Sequence, residues 1–141
     1  MKISAKTEYA CIAVLELALR HGSGEPVRMR DLAEAHGIPN QFLVQIMLQL
    51  KGAGLVASTR GASGGYRLLR SPERITLGEV MAIVEGESRP QSNVSVETPV
   101  VRSLLAAWRK ADQKLSQSLH SVTFADLAAR ADARLEQMYY I

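Results

Sequence analysis

The chain has 141 residues, 47% of them hydrophobic and 22% charged, which describes one globular domain with room for an appended arm and excludes a wholly disordered chain. No apolar run approaches the roughly 18 residues of a membrane span, and charge returns at Lys6 and Glu8, too early for a signal peptide, so a cytoplasmic protein is expected. The formal net charge is +3, but between positions 51 and 75 Lys51, Arg60, Arg67, Arg70 and Arg74 face Glu73 alone, and a basic patch of this kind suits a polyanion, most often nucleic acid.

In chain order, residues 4–19 contain no Gly or Pro and are apolar on nearly all sides, which predicts a buried helix. Breaker chemistry around Gly22, Gly24 and Pro26 ends it. Residues 28–36 read as a short amphipathic helix on Met29, Leu32, Ala33 and Ala35, with Gly37 placed to cap its end in a left-handed conformation. Pro39 then opens a third helix over 40–52. Its apolar positions Leu43, Ile46, Met47 and Leu50 recur at helical spacing, and its other face carries Asn40, Gln41, Val44, Gln45 and Gln49. Residues 55–60 and 66–69 read as two strands around a glycine-rich tip, 61–65, making a hairpin.

Thr76 and Glu79 form a capping box for a fourth helix over 77–85. The polar, proline-containing stretch 86–98 reads as an exposed loop. Beyond Pro99, Val101, Leu104, Trp108, Ala111, Leu115 and Ser118 or Leu119 recur at spacings of three and four, close to a heptad seam, with Arg102, Arg109, Lys110, Asp112 and Lys114 beside it. A last helix over 124–139 carries Leu127, Ala128, Ala131, Leu135 and Met138.

The second and third helices with their tight glycine turn form a helix-turn-helix unit, and small Ala33 lets the two helices cross closely. In DNA-binding versions the second helix leads into the major groove with its N-terminal residues, here Asn40, Gln41, Val44 and Gln45. Asn and Gln can bond adenine N6 and N7 together; the same residues also fit a plain solvated face. A hairpin directly after such a unit makes a winged helix. Its tip bears Arg60, and a slender arginine-bearing tip suits a narrow, electronegative minor groove. Taken together, helix-turn-helix, wing and local positive charge favour DNA.

Other chemistry is poorly supplied. Cys11 is the sole cysteine, and His21, His36 and His120 are far apart with no metal-ligand spacing. There is no phosphate loop, no HExxH and no G-x-S-x-G elbow, and Ser58 and Ser63 lie near no evident base, so neither a catalytic nor a metal site is expected. Cys11, on an apolar helix, reads as a small buried residue rather than a redox switch. His36 reads as a helix-end residue interacting with the dipole, and Glu8 as an acid at a helix N-terminus.

The segment Ala57-Ser58-Thr59-Arg60-Gly61-Ala62-Ser63-Gly64-Gly65-Tyr66 closely resembles the wing signature of the Rrf2 family of bacterial transcriptional regulators. So do Lys6-Thr7-Glu8-Tyr9-Ala10, Gly37-Ile38-Pro39, Leu50-Lys51-Gly52-Ala53-Gly54-Leu55-Val56 and Ile75-Thr76-Leu77-Gly78-Glu79-Val80. The resemblance spans residues 1 to about 86 and beyond that rests on helix layout. It implies a mainly α fold: a winged helix-turn-helix domain over 1–86, an exposed loop over 87–99, and dimerisation helices over 100–141. It also implies a homodimeric regulator on a palindromic operator. Asn40, Gln41, Val44 and Gln45 would then face the major groove, and Ser58, Arg60 and Gly61 the minor groove or its phosphates.

Two positions depart from the family pattern. Val44 stands where many members carry an acidic residue, and valine offers only apolar contact, for instance to a thymine methyl. The best-known relatives hold an iron–sulfur cluster through cysteines in the loop after the fourth helix. Here residues 87–101 contain neither Cys nor His, which excludes a thiolate-ligated cluster at that place. No cofactor is expected, and an effector would be an organic molecule, a partner protein or a metal bound some other way.

The apolar stripe Val101, Leu104, Trp108, Ala111 and Leu115 needs a second surface. Another copy of the chain supplies one, with Trp108 as anchor, although packing inside the monomer would satisfy the same pattern. The alternative function is a winged-helix protein–protein interaction module without specific DNA binding.

Overall fold

The computed structural model describes residues 1–139. Residues 140 and 141, the end of the expected dimerisation segment, lie outside the described residues. Six α-helices and one two-stranded antiparallel sheet make up the described residues, together with short 3-10 turns, and none of the helices is long and apolar enough to cross a membrane.

The first helix, α1 (Ala5–Leu19), is capped by Ser4, whose Oγ accepts from the Thr7 N–H at 3.1 Å. Ala10, Ala13, Val14, Leu17 and Ala18 bury its inner face completely or nearly so. Cys11, Ile12 and Leu15 are only half-buried and line an apolar groove of about 380 Å³ with Met81, Leu119 and Phe124. Burial on all sides, expected from composition, therefore fails on this strip, because nothing in the monomer covers it.

Val27 lies in an extended segment that exchanges two backbone hydrogen bonds of 2.8 Å with Tyr66. This isolated bridge at the edge of the wing has no sequence signature, since it joins positions far apart in the chain. Next, α2 (Met29–His36) starts one residue later than expected and ends at Gly37, whose φ of 65° and N–H to the Ala33 carbonyl close the turn. Pro39 occupies the N-cap position of α3 (Asn40–Gly52), in an extended conformation and with no side-chain capping bond. Leu43, Ile46, Met47 and Leu50 face the core, and the Phe42 ring meets Tyr9 of α1 edge-on at 5.5 Å.

The wing is β1 (Val56–Thr59) paired with β2 (Gly65–Leu68), in the register Val56↔Leu68 to Thr59↔Gly65. The strands are shorter than the expected 55–60 and 66–69, and Gly65 belongs to the second strand rather than to the tip. Val56 and Leu68 are buried and anchor the hairpin base in the core.

Thr76 caps α4 (Leu77–Glu85) by accepting from the Glu79 N–H at 3.1 Å. The Glu79 carboxylate is instead engaged by Arg70, at 2.7 Å. A largely exposed coil follows, and Thr98 then caps α5 (Pro99–His120).

The last helix, α6 (Phe124–Tyr139), is tied back to the start of α4. The Leu77 N–H donates to the Val122 carbonyl at 2.8 Å, and the Phe124 N–H to the Ile75 carbonyl at 2.9 Å. Phe124 is 0% exposed and sits in the same core as the α1 and α3 side chains, with Leu127 and Ala128 packed against it. The first turns of α6 thus complete the core that the preceding helices and wing leave open.

Candidate nucleic-acid interface

The α3 helix displays two chemically distinct faces. Asn40, Gln41, Val44 and Gln45 are all exposed, opposite the buried leucine and isoleucine stripe. Their spacing puts Gln41, Val44, Gln45 and Leu48 on one face. Leu48, which sequence reasoning passed over, is 64% exposed; its place four residues after Val44 was the available signal. Gln49, read as part of the polar face, turns inward instead: it is half-buried, and its Oε1 is buried without a hydrogen-bond partner.

The wing stands beside this helix. Lys51, in the last turn of α3, donates from Nζ to Ser58 Oγ at 2.8 Å. Ser58 is exposed on β1 opposite Tyr66, and Arg60 is exposed at the point where β1 ends. Gly61 has a φ of 105°, a conformation side chains rarely adopt, and its carbonyl accepts from the Gly64 N–H at 3.0 Å to close the tip. Gly64 presses so closely on the strand end that a Cβ there would lie 2.1 Å from the Thr59 carbonyl oxygen.

The basic window divides by role. Arg70 is committed to Glu79, and Lys51 to Ser58. Arg60, Arg67 and Arg74 are exposed and make no ion pair among the described residues. The tether from Lys51 to Ser58 lay beyond sequence reasoning, because it depends on how the hairpin folds against the helix end.

The seam on α5 faces outward. Leu104 and Trp108 are 51% and 57% exposed, and Ala111 and Leu115 are exposed beside them. Val101 alone is half-buried. The neighbouring face, through Leu105, is the one that packs inside the monomer, so the seam itself is not absorbed by the monomer's own core. Arg109, Lys110 and Lys114 are exposed along its edge, with Arg109 Nε donating to the Pro90 carbonyl at 3.1 Å.

Three polar groups elsewhere have local roles. His36 Nε2 lies 2.9 Å from Glu16 Oε1 and so links α2 to α1, a partner its helix-end position did not reveal. Glu85, the last residue of α4, accepts from the hydroxyls of Ser4 and Thr7 at the start of α1; these bonds, with Lys6 nearby, hold its pKa below the ordinary carboxylate value. Burial pushes the Cys11 thiol up to about 11.

Comparison with known proteins agrees with this architecture. The Rrf2 family, described as "Iron-dependent Transcriptional regulator", matches residues 3–130. The chain belongs to the Rrf2 family. It is 37% identical to the HTH-type transcriptional regulator CymR of Bacillus subtilis over the full length of both chains. It is 34% identical to the HTH-type transcriptional regulator IscR of Vibrio campbellii over 130 residues, covering 90% of this chain and 77% of that one. The solved structure of CymR from B. subtilis superposes with a TM-score of 0.76 at 35% identity, covering 92% of this chain and 98% of that one. That of T. potens IscR does so with a TM-score of 0.76 at 32% identity, covering 93% and 88%. This Rrf2 member is a winged helix-turn-helix transcriptional regulator and not an enzyme.

The iron in the family description does not fit the donors present. Residues 87–101 offer no thiolate or imidazole, and Cys11 lies on the apolar groove. No group of three or more His, Cys, Asp or Glu side chains is placed to hold a metal among the described residues.

Proposed function

We propose that this Rrf2 member grips an operator as a homodimer in the cytoplasm. Asn40, Gln41, Val44 and Gln45 enter the major groove, and Ser58, Arg60 and Gly61 reach the minor groove or the phosphates at its edge. The observation that carries this reading is the 2.8 Å bond from Lys51 to Ser58, which sets the wing beside the exposed face of α3. Helix and wing then act as one reading head. The amides supply paired hydrogen bonds to adenine edges, and Arg60 supplies the positive charge that a narrow minor groove concentrates.

The second copy covers the exposed α5 stripe of Leu104, Trp108, Ala111 and Leu115, with Val101 at its edge. A twofold pairing of this kind presents two heads to one duplex, and the operator repeats that symmetry. Residues 1–86 are the DNA-binding part, 87–99 the connecting loop and 100–141 the dimerising part, while the start of α6 also serves the core.

The test is selection of sites from sheared genomic DNA, followed by anisotropy titration of an enriched duplex at several salt concentrations. Binding should weaken steeply with salt, with log K falling by about 0.9 per phosphate contact for each unit of log salt. Arg60→Ala should lower affinity on every sequence and most where the minor groove is narrow. Recovery of no enriched site at any salt would refute the reading.

A further inference from the structure

The α3 helix carries two large apolar side chains that the monomer does not use. Val44 is 44% and Leu48 64% exposed, one helical turn apart, while the helix already buries Leu43, Ile46, Met47 and Leu50 in the core. They share a face with Gln41 and Gln45. Branched apolar groups add nothing to a solvated face, and they can neither donate to nor accept from phosphates or base edges. In the major groove one base-edge feature is apolar: the C5-methyl group of thymine. The flanking amides are suited to adenine, whose paired thymine places its methyl in the same groove. Amide and alkyl groups on this face therefore select the same A·T pairs by two different chemistries.

We infer that Val44 and Leu48 form a methyl-reading strip that determines operator specificity by burying thymine methyls. This rests on the reading of α3 as the groove-entering helix. Leu48 extends the readout one turn beyond Val44 and the amides, so the recognised sequence is longer than the N-terminal turn of the helix would read alone.

The experiment replaces each thymine of an enriched duplex in turn by deoxyuridine, which pairs identically and lacks only the methyl. Wild-type protein should lose about fourfold in affinity per buried methyl, and about fifteenfold when symmetric positions in both half-sites are replaced. Val44→Ala and Leu48→Ala should each lose most of the deoxyuridine penalty at the position that residue reads. Both residues are exposed, so the variants should keep the wild-type melting temperature. Specific binding that deoxyuridine leaves unchanged everywhere, or alanine variants that keep the full deoxyuridine penalty, would overturn the strip while leaving the operator reading standing. Absence of any sequence-specific binding would remove both.

Discussion

Replacing Gly64 by alanine separates the wing's role from that of the fold. The new Cβ would lie 2.1 Å from the Thr59 carbonyl oxygen and 2.9 Å from the Arg60 carbonyl carbon, where ordinary heavy-atom contacts are about 3.5 Å. Both obstacles are backbone, so no side chain can swing aside, and the strand end that presents Arg60 must move by about 1.4 Å. Overpacking of this kind costs about 1–3 kcal/mol. The tip is held by two four-residue strands and the turn bond from Gly64 to Gly61, and a two-stranded ribbon has little stability of its own. Opening of the last rung, Thr59↔Gly65, relieves the overlap and leaves Val56 and Leu68 seated in the core. The loss should therefore stay at the lower end of that range, with a melting temperature within about 5 °C of wild type, while DNA affinity falls towards that of Arg60→Ala. In a dimer each wing that loses one phosphate contact removes about 0.9 from the slope of log K against log salt, about 2 in all. Anisotropy titrations between about 50 and 200 mM salt, paired with thermal melts by circular dichroism, measure both quantities. Wild-type affinity and slope in Gly64→Ala would refute the argument that the tip touches DNA.

Four further outcomes follow from the packing and the protonation states. Phe124→Ala empties a fully buried site and should cost about 3–5 kcal/mol at any protein concentration; a loss under about 1 kcal/mol in urea unfolding would show that α6 stands apart from the core. Trp108→Ala should instead leave the monomer's packing nearly intact and weaken self-association in sedimentation, and unchanged association would count against the α5 seam. Glu85 has its pKa lowered by the Ser4 and Thr7 hydroxyls, so its contribution is present above the carboxylate range and lost as pH falls through the folded value. Wild type should accordingly be slightly more stable than Glu85→Gln at neutral pH and equal to it in strong acid, and a gap that persists in acid would contradict this assignment. With its pKa at about 11, Cys11 is about one part in a thousand thiolate at pH 8. Labelling by a chromogenic disulfide should be slow in the native protein and fast in urea, and rapid native labelling would contradict it.

Much of the fold was readable because it is written in short-range chemistry. Spacing of three and four marks α3 and α5, Gly37 and Pro39 mark the turn between α2 and α3, and the glycines around Arg60 mark the wing tip. Each depends on residues within one or two turns of each other, so the chain alone determines them. That Asn40, Gln41, Val44 and Gln45 would be exposed followed in the same way, from the position of the buried stripe. Other features arise between distant positions and leave no periodic trace. The Val27–Tyr66 rung, the Lys51 tether to Ser58, the closure of the core by Phe124 and the inward turn of Gln49 belong to this group. A side chain's sequence neighbours do not say which remote surface it will meet. Only the packed arrangement decided that Leu105 faces the monomer while Leu104 and Trp108, next to it on the same helix, are left to solvent, because the orientation of a helix about its axis is set by the elements it packs against.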